Sequence, residues 1–231
     1  LETGIRLLDK TMEDTKAAVV GKNGAGKTTF VKLLCRLYEP TEGKITLNGV
    51  DIRNYCYEDY LSLFSVVFQD FSLFSFPMGE NIAAGKPMHE PQIWDCLAKA
   101  GLRERVRQMP QQLHTNLYRL DEDGCNVSGG EAQKIAIARA LYRDAPFIIL
   151  DEPTAALDPE SEYEIFSAFD RLVQDKGSVF ISHRMGSCRS CHEILVLDHG
   201  RLAEHGSHED LMQENGPYRE LYDAQANCYT Q

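Results

Sequence analysis

One short segment constrains the fold of this chain more than any other: the eight residues from Gly21 to Thr28, with the sequence GKNGAGKT. They come after an apolar run, Ala17 to Val20, that predicts a buried strand, and they lead into a predicted helix from Lys27 to Leu37. Glycines in such a loop let successive backbone N–H groups turn inward and form a nest for an anion, and the helix N-terminus adds its positive dipole. This context predicts a nucleotide site rather than a glycine-rich turn that only caps a helix.

The types of residue in this loop predict how it would hold a nucleotide. Lys27 is expected to reach the β- and γ-phosphates, and Thr28 to offer its hydroxyl to Mg²⁺. The other residues of the segment that we expect to contact the nucleotide are Gly21, Asn23, Gly24, Ala25, Gly26 and Thr29.

Two carboxylates at the end of a second apolar run predict the other half of this site. Phe147 to Leu150 predicts a strand, and Asp151 and Glu152 come directly after it. Asp151 suits a Mg²⁺ ligand because hard cations prefer oxygen, and Glu152 could polarise an attacking water. A strand that simply runs into an acidic loop is the alternative, and the phosphate loop upstream argues against it.

A second anion-binding helix end is predicted at Ser128-Gly129-Gly130-Glu131, ahead of a segment rich in Ala and Ile. One nucleotide does not obviously need two such ends, unless each molecule lends one end to the nucleotide of its partner. Taken alone, without the other motifs, Ser128 is simply an N-cap residue, with Glu131 completing a capping box.

The rest of the chain alternates short strand-like runs with helical patterns, which predicts an α/β domain. Further strands are expected at Phe64–Phe68, Val179–Ser182, Ile194–Leu197 and Arg201–Ala203, with a hairpin over Lys44–Ile52 that turns at Asn48-Gly49. Between Pro77 and Tyr142 helical spacing takes over from strand-like runs. We therefore predict one domain over residues 1–231, with an α/β core in 1–76 and 143–231 and an inserted helical subdomain in 77–142.

Composition excludes several classes of protein. The 231 residues carry a net charge of −11, which argues against a nucleic-acid surface. No apolar stretch approaches the roughly 18 residues that a membrane span needs. Seven cysteines fit free thiols in a reducing cytosol better than a disulfide framework.

Two further motifs are weaker. The pair Cys188 and Cys191 with His192 lacks the second ligand pair that a zinc site requires. The basic run Arg103, Arg105, Arg107 is typical of a solvated face.

Together these motifs resemble the ATPase domain of ABC transporters. The resemblance covers essentially the whole chain and includes the loop at Gly21–Thr28, Gln69, Val127–Gln133, Leu150–Thr154, Ala156–Asp158 and Ser182–Arg184. It implies a P-loop NTPase (RecA-like) core with a small antiparallel β subdomain and an inserted helical subdomain. It also implies ATP and Mg²⁺ as ligands, and a head-to-tail, ATP-dependent dimer with a second such domain.

The resemblance also assigns roles to individual residues. Gln69 matches the glutamine that touches Mg²⁺ and the attacking water, and His183 matches the histidine that contacts the γ-phosphate. Ser128, with Gly129 and Gly130, matches the signature that contacts the γ-phosphate bound to the opposite subunit. Asp158 matches a loop that crosses the dimer interface. Glu152 and Lys27, with Gln69 and His183, are thus the expected catalytic residues, and Thr28, Gln69 and Asp151 the expected metal ligands.

Departures from the usual family pattern are few. The signature here is Val-Ser-Gly-Gly-Glu, where the family usually has Leu-Ser-Gly-Gly-Gln, and no aromatic residue in residues 1–20 offers to stack on adenine. The acidic stretch from Asp121 to Gly124 favours an exporter, and the aromatic loop from Phe71 to Pro77 looks like the surface that receives the membrane domain. A buried loop core is the alternative for these aromatic residues.

The chain is therefore expected to power export from the cytoplasmic face of the membrane, without contacting nucleic acid. Its first residue, Leu1, predicts a fragment cut from a longer polypeptide with membrane helices upstream. A regulatory cassette that binds nucleotide without turnover, and a soluble ABC-type ATPase, are the alternatives. A P-loop kinase or GTPase would leave the signature unexplained.

Overall fold

The computed structural model describes residues 15–118, 124–152, 176–182 and 185–228. These residues form two compact units. The first takes its described residues from 1–64, 146–152 and 173–231, and the second from 65–145. The predicted limits of the helical subdomain, at 77 and 142, stay a prediction.

Ten strands and eight α-helices occur among the described residues. The strands are β1 Lys16–Val20, β2 Thr46–Leu47, β3 Val50–Asp51, β4 Phe64–Val67, β5 Asn116–Leu117, β6 Gly124–Cys125, β7 Phe147–Asp151, β8 Gly177–Ile181, β9 Glu193–Asp198 and β10 Arg201–Gly206. The helices are α1 Lys27–Leu34, α2 Tyr57–Ser62, α3 Met78–Ala83, α4 Glu90–Lys99, α5 Arg103–Arg107, α6 Gly129–Arg143, α7 His208–Gln213 and α8 Pro217–Cys228. Short 3₁₀ helices cover Ile52–Asn54, Gln112–His114 and Met185–Ser190.

A mostly parallel sheet forms the centre of the first unit. Five of its strands lie in the order β10-β9-β1-β8-β7. Strands β9, β1, β8 and β7 run parallel, and β10 pairs antiparallel with β9. Every residue of β1 and β8 is buried, as expected for parallel strands covered on both faces. Because β1 and β7 flank β8 and point the same way, the residues directly after them meet at one edge of the sheet.

The predicted hairpin of the first unit is confirmed. Strands β2 and β3 pair antiparallel, with Leu47 opposite Val50. Asn48 and Gly49 between them have φ values of 52° and 78°, the left-handed conformation that a two-residue turn requires.

Helix α1 is shorter than predicted, because it ends at Leu34 rather than Leu37. Arg36 adopts a left-handed φ of 53°, and the Leu37 N–H bonds back to the Lys32 carbonyl at 2.9 Å. This is a Schellman ending, formed here without the usual glycine, which explains why the helical spacing alone did not reveal it.

The second unit is built around helix α6, which packs against α3 and α4. Its core is apolar and includes Met78, Ile82, Ile93, Leu97, Leu113, Leu117 and Ile135, all at most 2% exposed. Helical spacing predicted this packing, but two-residue strands β5 and β6 also pair in parallel within the segment, which we predicted to be free of strands. None of the helices in the described ranges has the length and hydropathy needed to cross a membrane.

Candidate functional site

The phosphate loop joins strand β1 to helix α1 and depends on three left-handed glycines. Gly21, Gly24 and Gly26 have φ values of 152°, 77° and 99°. A Cβ on Gly21 would overlap the carbonyl oxygen of Leu197, so only glycine fits there. The sequence therefore specifies a compact loop whose backbone can approach a ligand closely.

Lys27 is held across this loop by the loop's own backbone. Its Nζ donates to the carbonyl oxygens of Gly21 at 2.9 Å and Lys22 at 3.1 Å, and the residue is only 6% exposed. Burial lowers the pKa of Lys27, and the negative charges of Glu152 and Asp151 partly oppose this effect. The ammonium group of Lys27 is thus held in place at a loop whose backbone suits an anion.

Helix α1 begins directly after the phosphate loop, and Thr29 in its first turn is exposed. Its N-cap residue, Gly26, makes no side-chain capping bond, and the Phe30 N–H begins the helical hydrogen bonds by donating to the Gly26 carbonyl at 2.9 Å. The preceding N–H groups of the first turn, those of Lys27, Thr28 and Thr29, have no intrahelical acceptor and suit a phosphate. Of the other residues predicted to contact nucleotide, Asn23 and Gly24 are exposed, whereas Ala25 is buried.

The two predicted carboxylates lie at the end of β7. Asp151 is fully buried and pairs in register with Ile181 of β8. Glu152 leaves the strand with a left-handed φ of 51°, and its N–H donates to the Ile181 carbonyl at 3.2 Å. Strand β7 packs against helix α1, so the structure brings Asp151 and Glu152 near Lys27, whose pKa both carboxylates raise. A buried carboxylate beside the phosphate loop is a donor that fits Mg²⁺.

Sequence reasoning missed the support that the β9–β10 turn gives the phosphate loop. Gly200, in that turn, donates from its N–H to the Ala25 carbonyl at 3.0 Å. A Cβ on Gly26 would lie 3.5 Å from the Cα of Gly200. The turn at His199-Gly200 was predicted, but its contact with the loop depends on the pairing of β1 with β9. Gly200 and Leu197 are therefore positioning residues of the loop.

The signature segment lies in the second unit, where Ser128 is the N-cap residue of α6. Its Oγ accepts from the Glu131 N–H at 3.2 Å, and its own N–H donates to Glu131 Oε2 at 2.8 Å. The predicted capping box is thus confirmed. Ser128 and Gly129 are exposed at this helix end, and Gly130 is half-buried.

Gln69 and the aromatic loop after it also belong to the second unit. Gln69 is exposed just after β4. Phe74 and Phe76 are 56% and 54% exposed, with ring centroids 5.9 Å apart, so these two residues do not form a buried loop core. Buried Asn81 fixes this loop: its Oδ1 accepts from the Phe74 N–H, and its Nδ2 donates to the carbonyls of Phe74 and Phe76.

The remaining predicted site residues, Asp158 and His183, lie outside the described residues, as do Asp121 to Asp123. Among the described residues, no three His, Cys, Asp or Glu side chains lie together in a group that could hold a metal ion. Cys188 in particular is buried, which raises the pKa of its thiol to about 12, and His192 Nδ1 accepts from the Lys16 N–H at 3.0 Å. Among these residues, nothing supports the zinc alternative.

The basic run of α5 is not the uniformly solvated face that its sequence indicated. Arg103 is exposed, and Arg107 pairs with Glu104 at the surface at 2.9 Å. Arg105, however, is half-buried and donates from Nε to Glu131 Oε1 at 2.6 Å. One of the three arginines therefore joins the capping box of the signature helix.

The glycine loop holds a buried lysine, and two carboxylates lie at the carboxyl edge of the same parallel sheet. This combination defines a P-loop nucleotide-binding protein. Residues 10–155 match the sequence profile of the family described as ABC transporter. The chain belongs to the ABC transporter family. Its predicted P-loop α/β fold is confirmed, as is its predicted resemblance to the ATP-binding domain of ABC exporters.

Individual relatives agree with this assignment. The chain is 41% identical over 212 residues to the ATP-dependent lipid A-core flippase of Legionella pneumophila (strain Paris), a match that covers 91% of this chain and 36% of the relative. The flippase of the same name from Cupriavidus pinatubonensis is 40% identical, over 89% of this chain and 35% of the relative. A solved bacterial Atm1-family ABC exporter with ATP bound superposes with a TM-score of 0.85 at 36% identity, over 92% of this chain and 37% of the exporter. The chain thus spans about a third of the length of these relatives.

Proposed function

We propose that this chain binds ATP with Mg²⁺, hydrolyses it, and thereby powers export through a membrane domain. The observation that carries the proposal is the glycine loop that holds the buried ammonium group of Lys27, with Asp151 and Glu152 at the carboxyl end of β7, a strand that packs against α1. This loop leads into a helix N-terminus without a side-chain cap, an arrangement that suits the phosphates of a nucleoside triphosphate.

Each residue of the first unit has a distinct task in this proposal. Lys27 exchanges its loop carbonyls for phosphate oxygens, and Thr28 and Asp151 hold Mg²⁺, which neutralises phosphate charge when bound. Glu152 accepts a proton from the attacking water. Glu152 comes directly after the buried Asp151. Its backbone is left-handed, and the residue is half-buried. The roles of Gln69, as a contact to the metal and the water, and of His183, in positioning the water, are proposed from the family resemblance alone.

A second ABC ATPase domain is the proposed partner at the nucleotide. Ser128 and Gly129 are exposed at the start of α6 and Gly130 is half-buried, and we assign this helix end to the γ-phosphate bound by the other domain in a head-to-tail dimer. The family resemblance is the basis on which we also assign Asp158 to this interface. Two ATP molecules are then enclosed between two domains, and hydrolysis reopens the dimer.

A membrane domain is the second proposed partner, and Phe74 and Phe76 are proposed to meet it. Two neighbouring aromatic side chains, each more than half exposed, are costly in water unless a partner covers them. The domain would then work at the cytoplasmic face of the membrane. Two of the relatives are named as lipid A-core flippases, so movement of a lipid amphiphile is the transport activity to test first.

The direct test measures ATP hydrolysis by the purified chain with and without Mg²⁺. We expect turnover that EDTA abolishes and that Lys27→Met lowers by at least about 10²-fold, because phosphate charge loses its buried cation. Lys32→Met, on the same helix, is the matched control: it removes an equal charge outside the site and should keep most of the activity. ATP binding without turnover would instead favour the regulatory alternative, and equal losses in both variants would contradict the proposed role of Lys27.

A further inference from the structure

Arg105 and Glu131 form an ion pair that bears directly on the signature serine. Arg105 Nε lies 2.6 Å from Glu131 Oε1, and the other carboxylate oxygen of Glu131 accepts from the Ser128 N–H at 2.8 Å. Arg105 Nη2 also donates to Cys125 Sγ at 3.5 Å, which fixes the guanidinium from a second side. The three residues Arg105, Glu131 and Ser128 form a continuous chain of contacts, which we call the signature clamp.

The clamp offsets the negative charge that Glu131 places close to Ser128. A glutamine at position 131 could complete the same capping box without any charge. The carboxylate of Glu131 instead adds a negative charge one helical turn from Ser128, at a helix end that suits an anion. Burial opposes ionisation of Glu131, but hydrogen bonds from the Ser128 N–H and from Arg105 outweigh it and lower its pKa. Glu131 is therefore ionised at neutral pH, and Arg105 is the cation that offsets it.

We propose that Arg105 is a positioning residue for ATP hydrolysis: it neutralises Glu131 and, through it, holds Ser128 ready for the γ-phosphate. The inference rests on the proposed function, because it assumes that Ser128 meets a phosphate. It adds a residue that no signature pattern contains, placed 26 positions upstream of Glu131 on α5. It also explains how a carboxylate is tolerated at position 131.

The test is a double-mutant cycle on the purified chain. Arg105→Gln leaves an uncompensated carboxylate at the helix end, so we expect the KM for ATP to rise about tenfold with a smaller change in kcat. Glu131→Gln keeps an acceptor for the Ser128 N–H and should change KM by less than about threefold. The double variant lacks both charges, and its KM should return to within about threefold of the unsubstituted chain.

The control is Arg107→Gln on the same helix. Its partner Glu104 is 74% exposed, and neither residue touches the capping box, so KM should stay unchanged. A purely structural role for Arg105 would lower the fraction of active protein, which reduces kcat without changing KM, and Glu131→Gln would not rescue it. An unchanged KM in Arg105→Gln, or a double variant as poor as Arg105→Gln, would overturn the proposal.

Failure of the proposed function remains distinguishable from failure of this inference. If the unsubstituted chain hydrolyses no ATP, the proposed function fails at once. The clamp is then judged by NMR, from the hydrogen exchange of the Ser128 amide, which needs no turnover. Exchange that is faster in Arg105→Gln but not in Arg107→Gln supports the clamp, and equal exchange rates overturn it.

Discussion

The ammonium group of Lys27 lies 2.9 Å from the carbonyl oxygen of Gly21, so the phosphate loop binds its own lysine. This contact is short-range in sequence, and it holds the side chain in place at a position that is almost fully buried. An incoming phosphate then replaces one set of oxygen acceptors with another. Little conformational entropy is lost on binding, because the side chain is already fixed.

The close approach of Gly21 to Leu197 predicts a specific intolerance. Gly21→Ala should destabilise the chain by about 2–4 kcal/mol and weaken ATP binding, because the new Cβ meets the Leu197 carbonyl and φ is 152°. Gly186→Ala is the matched control, since a Cβ there meets no atom within 4 Å and φ is not left-handed. Urea unfolding of both variants checks the prediction. Equal stability of the two would show that the loop can shift away from Leu197.

Asn81 should hold the aromatic loop from Phe71 to Pro77 in its observed conformation. Asn81 is 1% exposed, and its side-chain amide forms hydrogen bonds with backbone groups of Phe74 and Phe76. Asn81→Ala removes these partners. We expect a loss of about 2–4 kcal/mol in stability and faster chymotrypsin cleavage after Phe74. Asn126→Ala, at an exposed position, is the control. Protection of Phe74 equal to that of the unsubstituted chain would contradict this role.

Asp51 should titrate well below an ordinary aspartate. The side-chain hydrogen bond from Arg53, at 2.6 Å, and a bond from the Arg53 backbone N–H lower the pKa of Asp51 to about 2. Because the folded pKa is depressed, any stabilisation by this pair is present above the ordinary pKa of about 3.9 and is lost as the pH falls towards 2. An NMR titration of Asp51 checks this. Arg53→Gln should raise the pKa towards the ordinary value of about 3.9 without reaching it, because the bond from the backbone N–H at position 53 remains. Lys44→Gln, which removes a lesser charge contribution, should change the pKa much less.

Cysteine reactivity should depend on burial. Cys56 is exposed, whereas Cys35 and Cys188 are buried, which raises the pKa of both thiols to about 12. Thiolates are the reactive form, so iodoacetamide at about pH 8 should label Cys56 within minutes and leave the other two unlabelled until the chain unfolds. Peptide mass spectrometry measures each site. Labelling of Cys35 or Cys188 at the rate of Cys56 in native buffer would contradict the described packing.

The sequence was sufficient where function depends on local pattern. The phosphate loop could be predicted because its glycines, Lys27 and the flanking strand and helix lie within one continuous segment. Asp151 and Glu152 could be added because the carboxyl ends of parallel strands lie at a common edge of the sheet. The capping box of Ser128 and Glu131 is likewise local, at a spacing of three residues.

Contacts between distant segments could not be predicted in this way. Arg105 reaches Glu131 from a different helix, and in the sequence it looked like one member of a solvated basic run. Gly200 supports the phosphate loop from far downstream in the chain, through strand pairing that no local pattern encodes. The end of α1 was missed because Arg36 adopts a conformation that glycine usually provides.

The central claim is that Glu152 activates water for hydrolysis of ATP held at Lys27, and one substitution tests it most directly. Glu152→Gln preserves shape and hydrogen bonding but removes the base. Single-turnover hydrolysis and ATP binding are measured together, with Glu42→Gln as a control at an exposed carboxylate. We expect Glu152→Gln to bind MgATP at least as tightly as the unsubstituted chain and to form a more stable dimer, while hydrolysis falls by about 10²- to 10⁴-fold. Unchanged hydrolysis in Glu152→Gln would contradict the claim.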